Sequence, residues 1–252
     1  KSDFFIEEPI PPSAYGHRRT GDAAVKEWAR IEQGRLLYES LKCGACHGGG
    51  GWDLSVVKTP DLTSIGARVT DGWLVAWLKD PRRGHHKSSQ MPVLLSSDEE
   101  VRDVATYLLT LAATKTNSAT DVSAGRVEAG KELFETIGCY KCHSEPTHAL
   151  ASVGTKFRSS YALAEFLLDP LRVDPSGRMP QMFELKTQSA EAALVAEYLF
   201  HTKKGDADFP KFSNDGSAER GRRLVQSRGC VSCHTVTEKG KPLADRLDAP
   251  RF

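Results

Sequence analysis

The sequence predicts an all-α fold of tandem helical units with long loops, each unit organised around a short cysteine–histidine motif. Three observations carry this. The pentapeptide C-x-x-C-H occurs three times, at Cys43–His47, Cys139–His143 and Cys230–His234. A helical apolar period runs into the first copy, and amphipathic stretches follow the first two. No run of alternating apolar residues, the mark of a strand, lies near any cysteine pair.

The motif has a chemical logic. Positions i and i+3 share a helical face, so both thiols lie along one edge of a porphyrin and can form thioethers with its vinyl groups. The histidine that follows can reach the iron from one side. C-x-x-C-H is the attachment signature of c-type haem, and the three copies use all six cysteines of the chain. A zinc site would close a tetrahedron with four ligands, whereas each pair here has its own helical frame and its own histidine. A disulfide framework belongs to short, loop-rich chains. The reading is three covalently attached haem c groups, on Cys43 and Cys46, Cys139 and Cys142, and Cys230 and Cys233, with His47, His143 and His234 as iron ligands.

Composition narrows the function classes. Of 252 residues 34 are basic and 33 acidic. No basic stripe with interleaved aromatics argues for nucleic acid. No apolar run reaches the roughly 18–20 residues of a membrane span. The chain starts at Lys1 and has no signal peptide, which reads as a mature or internal stretch.

Along the chain, residues 1–25 read as an extended arm, rich in proline up to Pro12. Helical patterning then begins near Val25 or Lys26. Gly34, Gly130 and Gly221 each precede the first cysteine of a motif by nine residues. An apolar pair follows each at +3 and +4: Leu37-Tyr38, Leu133-Phe134 and Leu224-Val225. Glycine inside a helix costs about 1 kcal/mol against alanine, so its recurrence at one register implies a second helix passing close by. The repeat continues beyond the motifs. Asp61–Gly66 parallels Ala149–Gly154, and Trp77–Pro81 parallels Phe166–Pro170, each the end of a short helix stopped by proline. Met91-Pro92 then matches Met179-Pro180. A capping box at Ser97–Glu100 opens an amphipathic helix in the first unit, and another runs from about Ala190 in the second. Polar linkers divide the chain into units at 26–116, 123–205 and 216–252. The third unit has its motif but only 18 residues after His234.

This pattern resembles the class I c-type cytochrome domain. There a helix leads into C-x-x-C-H, a later loop supplies a methionine ligand, and a C-terminal helix crosses the first at a glycine–aromatic contact. The resemblance implies that Gly34 and Tyr38 meet Tyr107, and that Gly130 and Phe134 meet Tyr198. It implies Met91 and Met179 as distal ligands of the first and second haems. Met182 competes with Met179, and His85 and His86 compete with Met91. The third haem has no downstream methionine. Either the chain is cut, or a donor such as His201, His148, His17 or Met182 completes it, or the iron is five-coordinate. Haem attachment to this motif takes place outside the bacterial cytoplasm, so the resemblance implies a periplasmic or exported protein. The function expected is an electron-transfer relay serving redox partner proteins or further domains of a larger complex. A peroxidase-like enzyme or gas sensor using an open third haem is the alternative.

Overall fold

The computed structural model describes residues 22–40, 59–82, 89, 91–111, 124–144, 150, 152–175, 179–202, 209, 211–213 and 215–243. It is all-α apart from one two-residue hairpin. The chain forms two compact units, one of 1–57 with 248–252 and one of 58–247. The described part of the first is helix α1 (Asp22–Ser40). Its Val25, Ile31, Leu36 and Leu37 are exposed. No helix among the described residues is long and apolar enough to cross a membrane.

The larger unit contains two hydrophobic cores. Helices α2 (Ile65–Arg68), α3 (Asp71–Lys79) and α4 (Asp98–Thr110) build the first. Val69, Leu74, Val104, Tyr107 and Leu108 are buried there. Helix α3 stops at Lys79, before Asp80-Pro81, where the proline predicts it. Ser97 caps α4 by accepting from the Glu100 N–H at 3.2 Å, while Glu100 accepts from the Ser96 N–H at 2.8 Å.

The chain continues through α5 (Ala124–Ile137), α6 (Tyr140–His143), α7 (Val153–Lys156), α8 (Ser160–Leu168), α9 (Pro170–Val173) and α10 (Ser189–Thr202), and the second core lies among α5, α7, α8 and α10. It holds Phe157, Leu163, Leu167, Val195 and Leu199. Helix α10 crosses α5 as expected. A Cβ on Gly130 would lie 2.0 Å from the Leu194 carbonyl oxygen and 2.9 Å from Cβ of Tyr198. Phe134 and Tyr198 pack with ring centroids 5.6 Å apart.

The corresponding crossing in the first core departs from expectation. Helix α4 is crossed by α11 (Ala218–Ser227), the helix before the third motif. A Cβ on Gly221 would lie 2.0 Å from the Asp103 carbonyl oxygen and 2.8 Å from Cβ of Tyr107. A Cβ on Gly34 would meet nothing within 4 Å. The place against Tyr107 that the resemblance assigns to Gly34 is held by Gly221 of α11. Periodicity puts a glycine at the crossing register of all three helices, so it cannot tell which one sits on α4.

Beyond α11 come α12 (Cys230–Cys233) and a hairpin of β1 (Thr237–Glu238) and β2 (Lys241–Pro242). Its turn residues Lys239 and Gly240 have φ of 49° and 78°, both left-handed as a tight two-residue hairpin requires. The two cores join where repeat positions coincide. Val69 and Phe157 form an antiparallel bridge. Thr70 N–H donates to the Lys156 carbonyl at 2.9 Å and Arg158 N–H to the Arg68 carbonyl at 3.0 Å. In the repeat register 70 corresponds to 158 and 68 to 156, so the junction has local two-fold symmetry.

Candidate functional site

The second and third motifs share one local device. Gly138 and Gly229 stand immediately before the first cysteine with φ of 83° and 78°. Each ends a helix through the left-handed conformation that glycine adopts without a Cβ penalty. The chain then turns into a short helix: α12 carries both Cys230 and Cys233, whereas Cys139 is the N-cap of the helix that holds Cys142. The backbone N–H of His143 donates to the Cys139 carbonyl at 3.1 Å, and that of His234 to the Cys230 carbonyl at 2.8 Å. All four thiols are free of disulfides. Burial pushes the Cys139 thiol above its ordinary range.

The third motif is docked onto residues 59–63. His234 Nδ1 lies 2.8 Å from the Pro60 carbonyl oxygen. A carbonyl only accepts, so Nδ1 carries the proton and donates. In the neutral ring this leaves Nε2 as the lone-pair donor. Burial lowers the His234 pKa, opposed by the Pro60 hydrogen bond and the charge of Asp61. The imidazole is thus held in the form and tautomer that an iron ligand needs. Thr59 Oγ1 donates to the Cys233 carbonyl. Leu62 N–H donates to the Thr235 carbonyl at 2.9 Å, and Thr237 N–H to Thr63 Oγ1 at 3.0 Å.

Met91 and Cys230 both pack, half-buried, against the first core. Trp77 Nε1–H donates to Met91 Sδ at 3.0 Å, and Trp77 stacks on Trp73 with centroids 5.2 Å apart. Met179 packs half-buried against the second core. Met182, its competitor, is 39% exposed. His201, weighed as a donor to the third haem, lies at the end of α10, edge-on to Phe200 of the second core. The first motif (Cys43, Cys46 and His47) and His17, His85, His86 and His148 lie outside the described residues.

Two ion pairs clamp the helix crossings. The Asp103 carboxylate, buried on α4, accepts from Arg220 Nε at 2.8 Å, from Arg220 Nη2 at 3.1 Å and from Ser217 N–H at 2.7 Å. The Arg220 hydrogen bonds hold its carboxyl below the ordinary range against burial. Glu197, 2% exposed on α10, accepts from Arg126 Nε at 2.8 Å and Nη2 at 2.9 Å. A third network ties the hairpin to α4. Tyr107 OH donates to Glu238 at 2.8 Å, and Arg222 Nε donates to the same carboxylate at 2.9 Å. Burial opposes ionisation of Glu238, but those two hydrogen bonds outweigh it and lower its pKa. Sequence reasoning missed Pro60, Trp77 and both clamps. Trp77 was visible only as a repeat partner of Phe166, and the clamps join residues 71 and 117 positions apart.

Residues 31–112 match the cytochrome c family.

The match covers the stretch from the latter part of α1 to the end of α4, and supports a c-type cytochrome with covalent haem and a role in electron transfer. No curated protein and no solved structure gives a significant match to the chain. The residues in place fit such a haem. Paired thiols lie on one helical turn, a neutral imidazole has its Nδ1 committed elsewhere, and a thioether is packed in the same core.

Proposed function

We propose that the protein is a periplasmic or exported tri-haem cytochrome that relays electrons to redox partner proteins or to further domains of a larger complex. The observation that carries this is the His234–Pro60 hydrogen bond beside the core holding Met91. A covalent c-type haem supplies reversible one-electron chemistry at its iron. The chain's own residues do the rest. Cys139 and Cys142, and Cys230 and Cys233, tether the porphyrin edge, as do Cys43 and Cys46 in the first motif. His47, His143 and His234 would hold the iron through an imidazole nitrogen, and Met91 and Met179 through thioether sulfur. A haem held by an imidazole and a thioether would favour its reduced state. Such a site passes electrons and binds no substrate. The bridge at Val69 and Phe157 supports the relay, because it links the two cores through direct backbone hydrogen bonds.

The test is expression of the whole chain with haem-attachment machinery, followed by intact mass, redox titration and a peroxide assay. Three haem mass increments, three reversible one-electron waves and no peroxide turnover are expected. Peroxide turnover, or rapid carbon monoxide binding at the Met179 haem, would replace the relay with an enzyme or gas sensor.

A further inference from the structure

The third motif, which sequence order leaves without a methionine, packs through Cys230 against the core that Met91 also packs against. We infer that His234 and Met91 are the two axial ligands of one haem, bound through Cys230 and Cys233. The centre is thus assembled from segments about 140 residues apart, and Met91 does not serve the first motif. This rests on the reading of the motifs as haem sites.

Four hydrogen bonds fix the motif to residues 59–63: those of His234 to Pro60, Thr59 to Cys233, Leu62 to Thr235, and Thr237 to Thr63. Residues 59–63 lead directly into the body that ends in the Met91 loop and α4, so the proximal histidine and the thioether are held by one packed core. Cys230 and Met91 both contact it.

The choice of helix on α4 is written in side chains. The buried Asp103 carboxylate needs a cation, and Arg220, one residue before Gly221, supplies it with two hydrogen bonds. At the same register α1 carries Gln33 and α5 carries Ala129. Either would leave the carboxylate buried without a cation, which is strongly unfavourable. The residue before the motif adds a second mark. Gly229 and Gly138 use the left-handed conformation there, whereas Lys42 stands before Cys43. The chain has three methionines, Met91, Met179 and Met182. With Met91 paired to His234 and Met179 in the second core, Met182 is the one remaining methionine of the sequence.

The test uses the whole haem-loaded chain and the thioether-to-ferric charge-transfer band, with intact mass counting the haems. Two pairs of substitutions each remove one haem: Cys43→Ser with Cys46→Ser, and Cys230→Ser with Cys233→Ser. The band is expected to be unchanged in the first variant and halved in the second. A band halved in the first variant and kept in the second overturns the inference while leaving the relay intact. A parent chain with no covalent haem overturns both. Met91→His keeps the iron six-coordinate and guards against a folding defect. It is expected to lower one midpoint potential in the background lacking the first haem and none in the background lacking the third. The opposite pattern refutes the pairing.

Discussion

Gly34 and Gly221 stand at one register of the repeat, and replacing each by alanine separates them. At Gly34 the new methyl meets nothing within 4 Å. Only helix propensity acts, and α1 gains up to about 1 kcal/mol. At Gly221 the same propensity gain is opposed by a Cβ placed 2.0 Å from the Asp103 carbonyl oxygen and 2.5 Å from its carbon. Both are backbone atoms in the middle of α4 and cannot rotate away, so the helices must part by about 1 Å. A gap of that size forfeits a quarter to a half of each dispersion contact across it. The contacts at risk are those of Val104, Tyr107, Leu108 and Val225, all 3% exposed or less. Overpacking of this kind costs about 3 kcal/mol at the upper end of its range. The net is roughly 2 kcal/mol of destabilisation, a fall of about 4–8 °C in Tm for a unit of this size. Thermal unfolding followed by circular dichroism reads the two variants side by side, and hydrogen exchange in α4 localises the effect. Equal destabilisation by Gly34→Ala would falsify the assignment of α11 to α4.

Four further outcomes are expected. Gly130→Ala behaves like Gly221→Ala, because its Cβ would lie 2.0 Å from the Leu194 carbonyl oxygen; a neutral result in the same melt refutes the crossing. Arg126→Met leaves Glu197 buried without its cation and costs about 2 kcal/mol. That is less than the roughly 3–5 kcal/mol of a fully buried pair, because the Arg126 side chain is 41% exposed; an unchanged urea midpoint counts against it. Asp103 has its pKa depressed in the folded state, so its contribution is present above the ordinary value of about 3.9 and is lost as pH falls through the folded value. Asp103→Asn is therefore less stable than the parent at neutral pH, and the gap narrows on acidification; a gap constant with pH contradicts the charge-based account. Trp77→Phe removes the hydrogen bond that draws electron density from Met91 sulfur. On the proposed ligation the ferric form gains, and the potential of the haem that Met91 would hold falls. A titration in which that wave stays put speaks against the contact.

The legible part of this protein was local. Helix α3 stops before Pro81 and α8 before Pro170, because the residue preceding proline is barred from the helical region. The Gly130–Tyr198 crossing was readable because α5 and α10 belong to one repeat and their partners lie in order along the chain. The hairpin at Thr237–Pro242 was not foreseen, since Lys239-Gly240 is a weak version of the usual Asn-Gly turn. The Asp103–Arg220 and Tyr107–Glu238–Arg222 networks were not legible either, for each joins residues more than 100 positions apart.

By itself the sequence determined the helical class, the motif spacing, the glycine register and the two Met-Pro loops, because each follows from the geometry of a few consecutive turns. Only the tertiary structure decided which motif-bearing helix packs on α4. Three helices carry a glycine at one register and an apolar pair three and four residues after it, so their local signals are equivalent. The buried carboxylate of Asp103 breaks that equivalence, since α11 alone offers an arginine at the right height, and with α11 comes the motif of Cys230 to His234. A charge sealed in the core selects its partner by what it costs to leave it unpaired, and that cost appears only once the helices are packed.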